Sequence, residues 1–453
     1  MAWRSAPLLI AALALGLLLG CAPPARVDPP ETHGVPAGAV GPQADLPALS
    51  PSSTLADYVR YGALSNPGLL AAFDAWRAAL ERVPQVTSLP EPRLTLGYYL
   101  RRVETRVGPQ RFRVGISQML PWPGKLRLAG AVAAAEAEAA RERLEAARLA
   151  LTYEITAAYC ELYALAKAIA ITGENVELLR YVEGVARARY RVATAQYPDV
   201  VRAQVELGKL QDQLQTLEEQ QRPLAAQLNA ALNRPPDAPL PLPSDLPRET
   251  ARPDPAQLRA LLREASPELK ALRAQIQARA AAIDLARKSY YPDFTVGLSA
   301  IETGSARMRT SDSGKDAVVA EVGITLPIWR AKYRAAEREA RLRHSSATHA
   351  LAEQDNRLVA RVERATFGLN DAERKISLYR DSLVPKAQQS LKATQAAYQA
   401  GKASLTDVID AERTLLAFRL GHERALASRA QRLAELDMLV GRPVPRKPAK
   451  PKG

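Results

Sequence analysis

The chain has 453 residues, 47% of them hydrophobic and 5% aromatic, with 62 Lys and Arg against 48 Asp and Glu for a formal net charge of +14. Two cysteines exclude a disulfide framework, and the four histidines, His33, His344, His349 and His422, offer no HExxH zinc spacing. With no CxxC, Gly-rich phosphate loop or nucleophile elbow, the sequence points away from an enzyme and from any metal or cofactor site, and its four methionines give a soft-metal relay thin support.

The first residues set the compartment. Arg4 precedes an apolar run from Pro7 to Leu19, too short to span a bilayer as a helix, which ends in Leu18-Leu19-Gly20-Cys21. Residues 1–20 read as a lipoprotein signal peptide, with Cys21 as the thiol that takes the lipid; an ordinary secretory signal is the alternative. Residues 21–52 have the Pro, Gly and Ala content of a flexible tether. Cys160, among Ala157, Ala158, Leu162 and Ala164, reads as a small core residue in a helix. In such a secreted chain the basic excess does not call for nucleic acid. Glu136, Glu138, Arg141, Glu142 and Arg143 mix both signs along helical faces, as solvated helices do.

From residue 53 the chain states one pattern twice. A first repeat, 53–235, opens with helix through Leu55, Val59, Leu64, Leu69 and Leu70, restarted at Asn66-Pro67. Strand patterns follow at about 92–102, where Leu94, Leu96, Tyr98 and Leu100 alternate with polar residues, and at about 110–120, where Phe112, Val114 and Ile116 do so. From Gly124 to Tyr197 no proline interrupts an Ala-rich helical pattern that would approach ~110 Å at 1.5 Å per residue. A turn near Ala193 to Pro198 precedes a return helix reaching Leu232. The Pro-rich segment 236–255 is a linker. The second repeat, 256–443, runs through the same parts: strands at about 292–302 and 317–327, a long helix from Arg330 to Gln399, a turn near Gly401 to Ser404, and a return helix to Leu439. Pro385 has no counterpart in the first repeat and is expected to kink this helix. The basic, Pro-rich stretch 444–453 reads as a disordered tail.

The two copies keep a nearly fixed spacing. Asn66-Pro67 matches Ser266-Pro267 at 200 residues, and Val114-Gly115-Ile116 matches Val322-Gly323-Ile324 at 208, so the slip falls in the loop around Ser311 to Lys315. Each strand alone fits a soluble hairpin as well as a membrane strand. Four strands cannot close a barrel, because the smallest transmembrane barrels need about eight. An open sheet in lipid would leave edge amides unpaired, so membrane strands here require several chains per barrel.

These parts together resemble the TolC family of outer-membrane efflux proteins, over about Leu55 to Pro443. The resemblance is most specific at Leu120-Pro121-Trp122-Pro123-Gly124-Lys125, at Leu326-Pro327-Ile328-Trp329, and at Ala397-Tyr398-Gln399-Ala400-Gly401-Lys402-Ala403-Ser404-Leu405-Thr406-Asp407-Val408-Ile409-Asp410. It implies a mainly α fold with membrane β: long helical hairpins forming a periplasmic tunnel, and a homotrimer whose chains each give four strands to a shared twelve-stranded barrel. It implies an outer-membrane location with a lipid on Cys21, a periplasmic adaptor partner, and an inner-membrane pump of the RND type. The function implied is that of a passive exit duct; a periplasmic adaptor or a structural coiled-coil lipoprotein is the alternative. Wording such as Leu120-Pro121-Trp122-Pro123-Gly124-Lys125-Leu126 looks like the heavy-metal branch but assigns no ion.

Residue by residue, the resemblance places Asp199, Asp407 and Asp410 at the tunnel entrance. Ser404 to Asp407 also has capping-box spacing, so these acids line the entrance, cap helices, or do both. Ala193, Thr194, Gly401, Lys402 and Ser404 fall at the helical tips, where adaptor docking and simple chain reversal compete as roles. Ala193 stands where the second copy has Gly401, so the first turn is expected to be less tight or differently shaped. Pro121, Trp122, Pro327 and Trp329 mark the barrel–helix junction, with Trp122 and Trp329 either interfacial anchors or packing residues.

Overall fold

The computed structural model describes residues 49–446 apart from 51–52, 248, 252–253 and 309–310; Cys21 and the signal peptide lie outside the described residues. The elements, in chain order, are α1 (Leu55–Ser65), α2 (Pro67–Thr87), β1 (Arg93–Thr105), β2 (Gly108–Leu120), α3 (Lys125–Arg191), α4 (Tyr197–Ala231), α5 (Pro255–Ala265), α6 (Pro267–Lys288), β3 (Phe294–Thr303), β4 (Ala317–Ile324), α7 (Arg330–Leu378), a π-turn (Tyr379–Leu383), α8 (Val384–Gln399) and α9 (Leu405–Val440). They divide into two units. One holds Arg77–Glu138 and Ala274–Thr348, and the other holds the described parts of Gly38–Trp76, Ala139–Arg273 and His349–Gly453.

The first unit is built on a four-stranded antiparallel sheet in the order β1-β2-β3-β4. Its register keeps like faces together: Leu94 faces Ile116, Ile116 faces Leu298, and Leu298 faces Ala320. Because side chains alternate along a strand, this alignment puts the apolar residues of the regularly paired stretches on one face, as far as the register shift between Tyr98 and Val103 in β1. That face is bare, with Leu94, Leu96, Tyr98, Val322 and Ile324 each more than half exposed. The other face carries small and polar residues, including Gly97, Gly115, Gly297 and Gly323 opposite Arg113, Thr95, Ser117 and Thr295. β4 stops at Ile324, short of the expected residue 327, because Thr325 makes one more bond to the Asp293 carbonyl before Pro327, which has no N–H, follows.

In the second unit the two repeats build matching cores, the first of which also takes in Ala427 and Ala430 of α9. Tyr58, Leu69, Ile155, Leu228 and Leu232 join α1, α2, α3 and α4, while Leu258, Leu269, Leu358, Leu369, Leu436 and Val440 join α5, α6, α7 and α9. Tyr58 and Leu258, or Leu228 and Leu436, are repeat equivalents, so the sequence duplication is a duplicated core. Cys160 is fully buried in the first core, and burial pushes its thiol up to about 12. α3 contains an 18-residue window of mean hydropathy 1.3, but 61% of it is buried, which marks a core helix.

Proline placement explains the breaks. Asn66 caps α2 through its Oδ1, which accepts from the Leu69 N–H at 3.0 Å, and its Nδ2 donates to the Ala231 carbonyl at 2.9 Å, tying the restart to the end of α4. Pro385 cannot donate to the Asp381 carbonyl, and the Val384 N–H goes to Tyr379, five residues back. The expected kink is thus a π-turn. Two edge segments differ from expectation: Leu49, within the tether, packs on the first core, and Val444, within the tail, is buried in the second. Both are apolar residues flanking core helices, so burial outweighs the Pro-rich composition around them.

Candidate functional site

The two helical turns of the second unit share a core. Val182, Ala186, Val200 and Ala203 of α3 and α4 pack with Ala387, Leu391, Tyr398, Leu405, Val408 and Ile409 of α8 and α9. This brings together the residues that the sequence placed at the tips, from segments some 200 positions apart.

The turns themselves are alike. Ala193 has φ 57° and Gly401 φ 76°, and the Thr194 and Lys402 N–H groups each bond a carbonyl five residues back, on Arg189 at 2.9 Å and Ala397 at 2.8 Å. Both are left-handed helix ends. The expected difference in tightness does not occur; Ala193 adopts the conformation that glycine occupies in the second copy, at the cost of placing a Cβ in the left-handed region.

Cations fasten one tip to the other. The Arg189 guanidinium lies 4.7 Å from the Tyr398 ring centre, donates to the Tyr398 carbonyl, and reaches the Thr194 carbonyl at 3.3 Å. Arg202 donates to Thr406 Oγ1 at 2.7 Å, and Arg413 Nε donates to Glu206 at 2.7 Å. Burial raises the Tyr398 phenol above its ordinary value. Neither Arg189 nor Arg202 was singled out by motif. Their signal was weak, since a lone arginine in a charge-mixed helix looks like its neighbours.

The three acids expected at the entrance differ in setting. Asp407 Oδ2 accepts from the Ser404 N–H at 2.8 Å and from Ser404 Oγ at 2.7 Å, while the Asp407 N–H donates to Ser404 Oγ at 3.2 Å. That is a closed capping box, and these hydrogen bonds hold the Asp407 carboxyl below the usual carboxylate value. Asp410 sits one turn on, 3.6 Å from Arg413 and exposed. Asp199 lies in the first turn of α4, half-buried, with its N–H on the Gln196 carbonyl. The first tip also displays Tyr190, Val192 and Tyr197, all largely exposed, with the two rings 5.6 Å apart. Among the described residues the second tip shows no such exposed apolar group.

At the junction in the first unit the two tryptophans separate. Trp122, after Pro121, stacks on Tyr291 at 5.0 Å and on Phe294 at 5.8 Å, and its backbone N–H donates to Asp293 at 2.8 Å. Lys125 pairs with the same carboxylate at 2.7 Å. Trp329, after Pro327, is 71% exposed, as are Leu326 and Ile328 to similar extents. Trp122 is a packing residue, and Trp329 presents its ring outward. Among the described residues no cluster of His, Cys, Asp and Glu is arranged to hold a metal.

Comparison with known proteins matches this arrangement. The curated cobalt-zinc-cadmium resistance protein CzcC of Cupriavidus metallidurans is 31% identical over 199 residues, a match taking in 42% of this chain and 44% of that protein. The outer membrane protein VceC of Vibrio cholerae superposes with a TM-score of 0.71 at 19% identity, over 85% of this chain and 96% of that one. The CmeC outer membrane channel of Campylobacter jejuni gives 0.71 at 14% identity, over 89% and 90%. The family model for outer membrane efflux proteins matches at residues 63–234 and again at 258–442, once per repeat. With both repeats matched, this chain belongs to the outer membrane efflux protein family.

Proposed function

We propose that the protein is the outer-membrane exit duct of a tripartite efflux pump, a passive homotrimer that receives substrate from an inner-membrane transporter through a periplasmic adaptor. The observation that carries this reading is the sheet: four strands, two unpaired edges, and an apolar face bare along both edge strands. In water such a sheet would aggregate, and in lipid its edges would be unsatisfied. Three copies give twelve strands and one closed barrel, with the apolar face toward lipid and the glycine-rich face toward the lumen. A lipid on Cys21 would anchor the outer end.

In this reading the helical tips meet the adaptor. Ala193, Thr194, Gly401, Lys402 and Ser404 form the docking turns, and the exposed Tyr190, Val192 and Tyr197 add an apolar contact at the first. Asp199, Asp407 and Asp410, repeated by a threefold axis, ring the entrance with negative charge that favours cations, while Asp407 also caps α9. Divalent transition-metal cations are the first substrates to test, given the name of the curated relative, and an RND-type pump is the corresponding energy source. The test of the duct is the mass of the purified protein in detergent by light scattering. A trimer is expected; a stable monomer or dimer would overturn the shared barrel. Deletion should sensitise cells to the exported compounds, and a panel of cobalt, zinc, cadmium and organic drugs identifies which.

A further inference from the structure

The strand ends remote from the helices form one tied cap. The Gly304 N–H donates to the Pro109 carbonyl at 2.8 Å and the Gly314 N–H to the Val107 carbonyl at 2.7 Å, which joins the β3–β4 turn to the β1–β2 turn. Arg106 pairs with Asp312 across the same seam at 3.4 Å, and Asp316 accepts from the Thr303 N–H at 2.8 Å. A Cβ on Gly108 would fall 1.7 Å from the Gly304 carbonyl oxygen, so the two turns meet backbone to backbone. A cap held in this way keeps its side chains in place before any ligand arrives.

Both strand ladders shift just below the cap. Tyr98 pairs with Phe112 and Val103 with Gln110, so the stretch from Tyr99 to Arg102 stands against Arg111 alone. Between β2 and β3, Gln110 pairs with Thr303 and Phe112 with Glu302, which leaves Arg111 without an opposite residue. Extra residues of this kind bend a strand and re-aim its side chains. They gather Arg101, Arg102 and Arg111 at one level of the sheet. All three are exposed, and none holds an ion pair among the described residues. The Arg111 guanidinium rests over Gly304, where a Cβ would come within 2.7 Å of its Nε and 2.8 Å of its Cζ. Glu104 and Glu302 are the acids at this level, while Asp312 and Asp316 are engaged within the cap.

We propose that this arginine cluster is a docking site for the phosphates of the acidic glycolipid of an outer leaflet, the phosphorylated glucosamine lipid called lipid A. The proposal rests on the outer-membrane barrel proposed above and gives that barrel a lipid partner. With the helices on the periplasmic side, the tied turns face outward. The segment from Phe112 to Leu120 matches the ~9–11 residues with which a tilted strand crosses hydrocarbon, so Arg111, next above Phe112, stands at the outer boundary. Leu100, 93% exposed, and Val103 flank the arginines on β1, and Met308, 80% exposed, stands on the cap. Apolar groups beside guanidinium groups fit a ligand whose acyl chains adjoin its phosphates; a free anion would use the arginines alone. Guanidinium takes phosphate through paired N–H donors, and low dielectric near hydrocarbon strengthens the attraction.

Native mass spectrometry of the full-length protein in detergent, titrated with bis-phosphorylated lipid A, tests the site. Lipid should be retained, and Arg101→Gln, Arg102→Gln and Arg111→Gln together should weaken its binding at least about ten-fold, because the charge-assisted bonds are lost. Removing as much charge from the other unit, with Lys209→Gln, Lys386→Gln and Lys392→Gln, should change binding less than about two-fold. Lipid A stripped of its phosphates should bind the parent at least about ten-fold more weakly. Arg101→Lys, Arg102→Lys and Arg111→Lys together keep the charge without the paired donors and should give an intermediate loss, with helical circular dichroism and trimer mass confirming that each variant folds. Parent-level binding by the glutamine variant, an equal loss in the variant of the other unit, or equal binding of phosphate-free lipid overturns the docking site and leaves the duct standing. Displacement of the lipid by an equimolar amount of inorganic phosphate also overturns it, marking a free-anion site. So does an altered anion preference in single-channel current with lipid binding unchanged, which would turn the arginines toward the lumen. A monomeric parent protein overturns the duct itself.

Discussion

Glu412 offers a quantitative test of the helical core. It lies on the buried stripe of α9, between Val408 and Ile409 on one side and Leu415 and Leu416 on the other, and is 2% exposed. Its Oε1 has no hydrogen-bond partner among the described residues. Burial, and secondarily the Glu206 carboxylate, push its pKa up to about 7 against the opposing pull of Arg413. Its ordinary value is 4.5, so the folded protein holds this proton through a window in which the unfolded chain has released it. The sign follows: the fold is undisturbed by Glu412 below pH 4.5, loses stability as pH rises through the window, and carries the full penalty above about 7. At 1.36 kcal/mol per pH unit of separation the penalty is about 3 kcal/mol. Glu412→Gln keeps the shape and cannot ionise. Melting followed by helical circular dichroism at pH 5, 6, 7 and 8 should show the variant gaining about 2 kcal/mol on the parent across that range, roughly 5 °C in apparent Tm for a unit of this size. A difference between the two proteins that stays constant with pH would refute the assignment of a protonated, buried Glu412.

Other substitutions test the turns and the second core. Ala193→Gly should relieve the left-handed strain and stabilise the first tip by about 0.5–1 kcal/mol, read as slower amide exchange at Val192 to Tyr197; unchanged or faster exchange would refute the strain. Ser404→Ala opens the capping box and should lower stability by about 1 kcal/mol, with exchange rising in the first turn of α9 and not at its far end. Gly441→Ala puts a Cβ 2.6 Å from the Ala265 carbonyl oxygen at φ 81°, so a loss of at least about 2 kcal/mol is expected by thermal melting, and a neutral result would overturn that packing.

Strand pairs, helix restarts and the duplicated core were legible because they are written in periodicity, proline placement and repetition, all local or nearly local signals. Alternation along residues 94–100 and 294–300 sets which side chains share a face, and the repeat offsets align the hairpins. The capping box at Ser404 and Asp407 was legible for the same reason, since both partners lie within one helical turn. The contacts of Arg189 with Tyr398, Arg202 with Thr406 and Arg413 with Glu206 were not, because each joins residues more than 200 positions apart and depends on how two helical hairpins pack. The same holds for the tryptophans: nothing in the two Leu-Pro motifs says that one ring stacks on Tyr291 while the other stays exposed. Local chemistry determined the elements, their caps and their faces. Only tertiary packing decided which charges are paired, which carboxylate is buried, and that Ala193 takes a glycine's conformation, because those outcomes depend on the energy of contacts between distant segments.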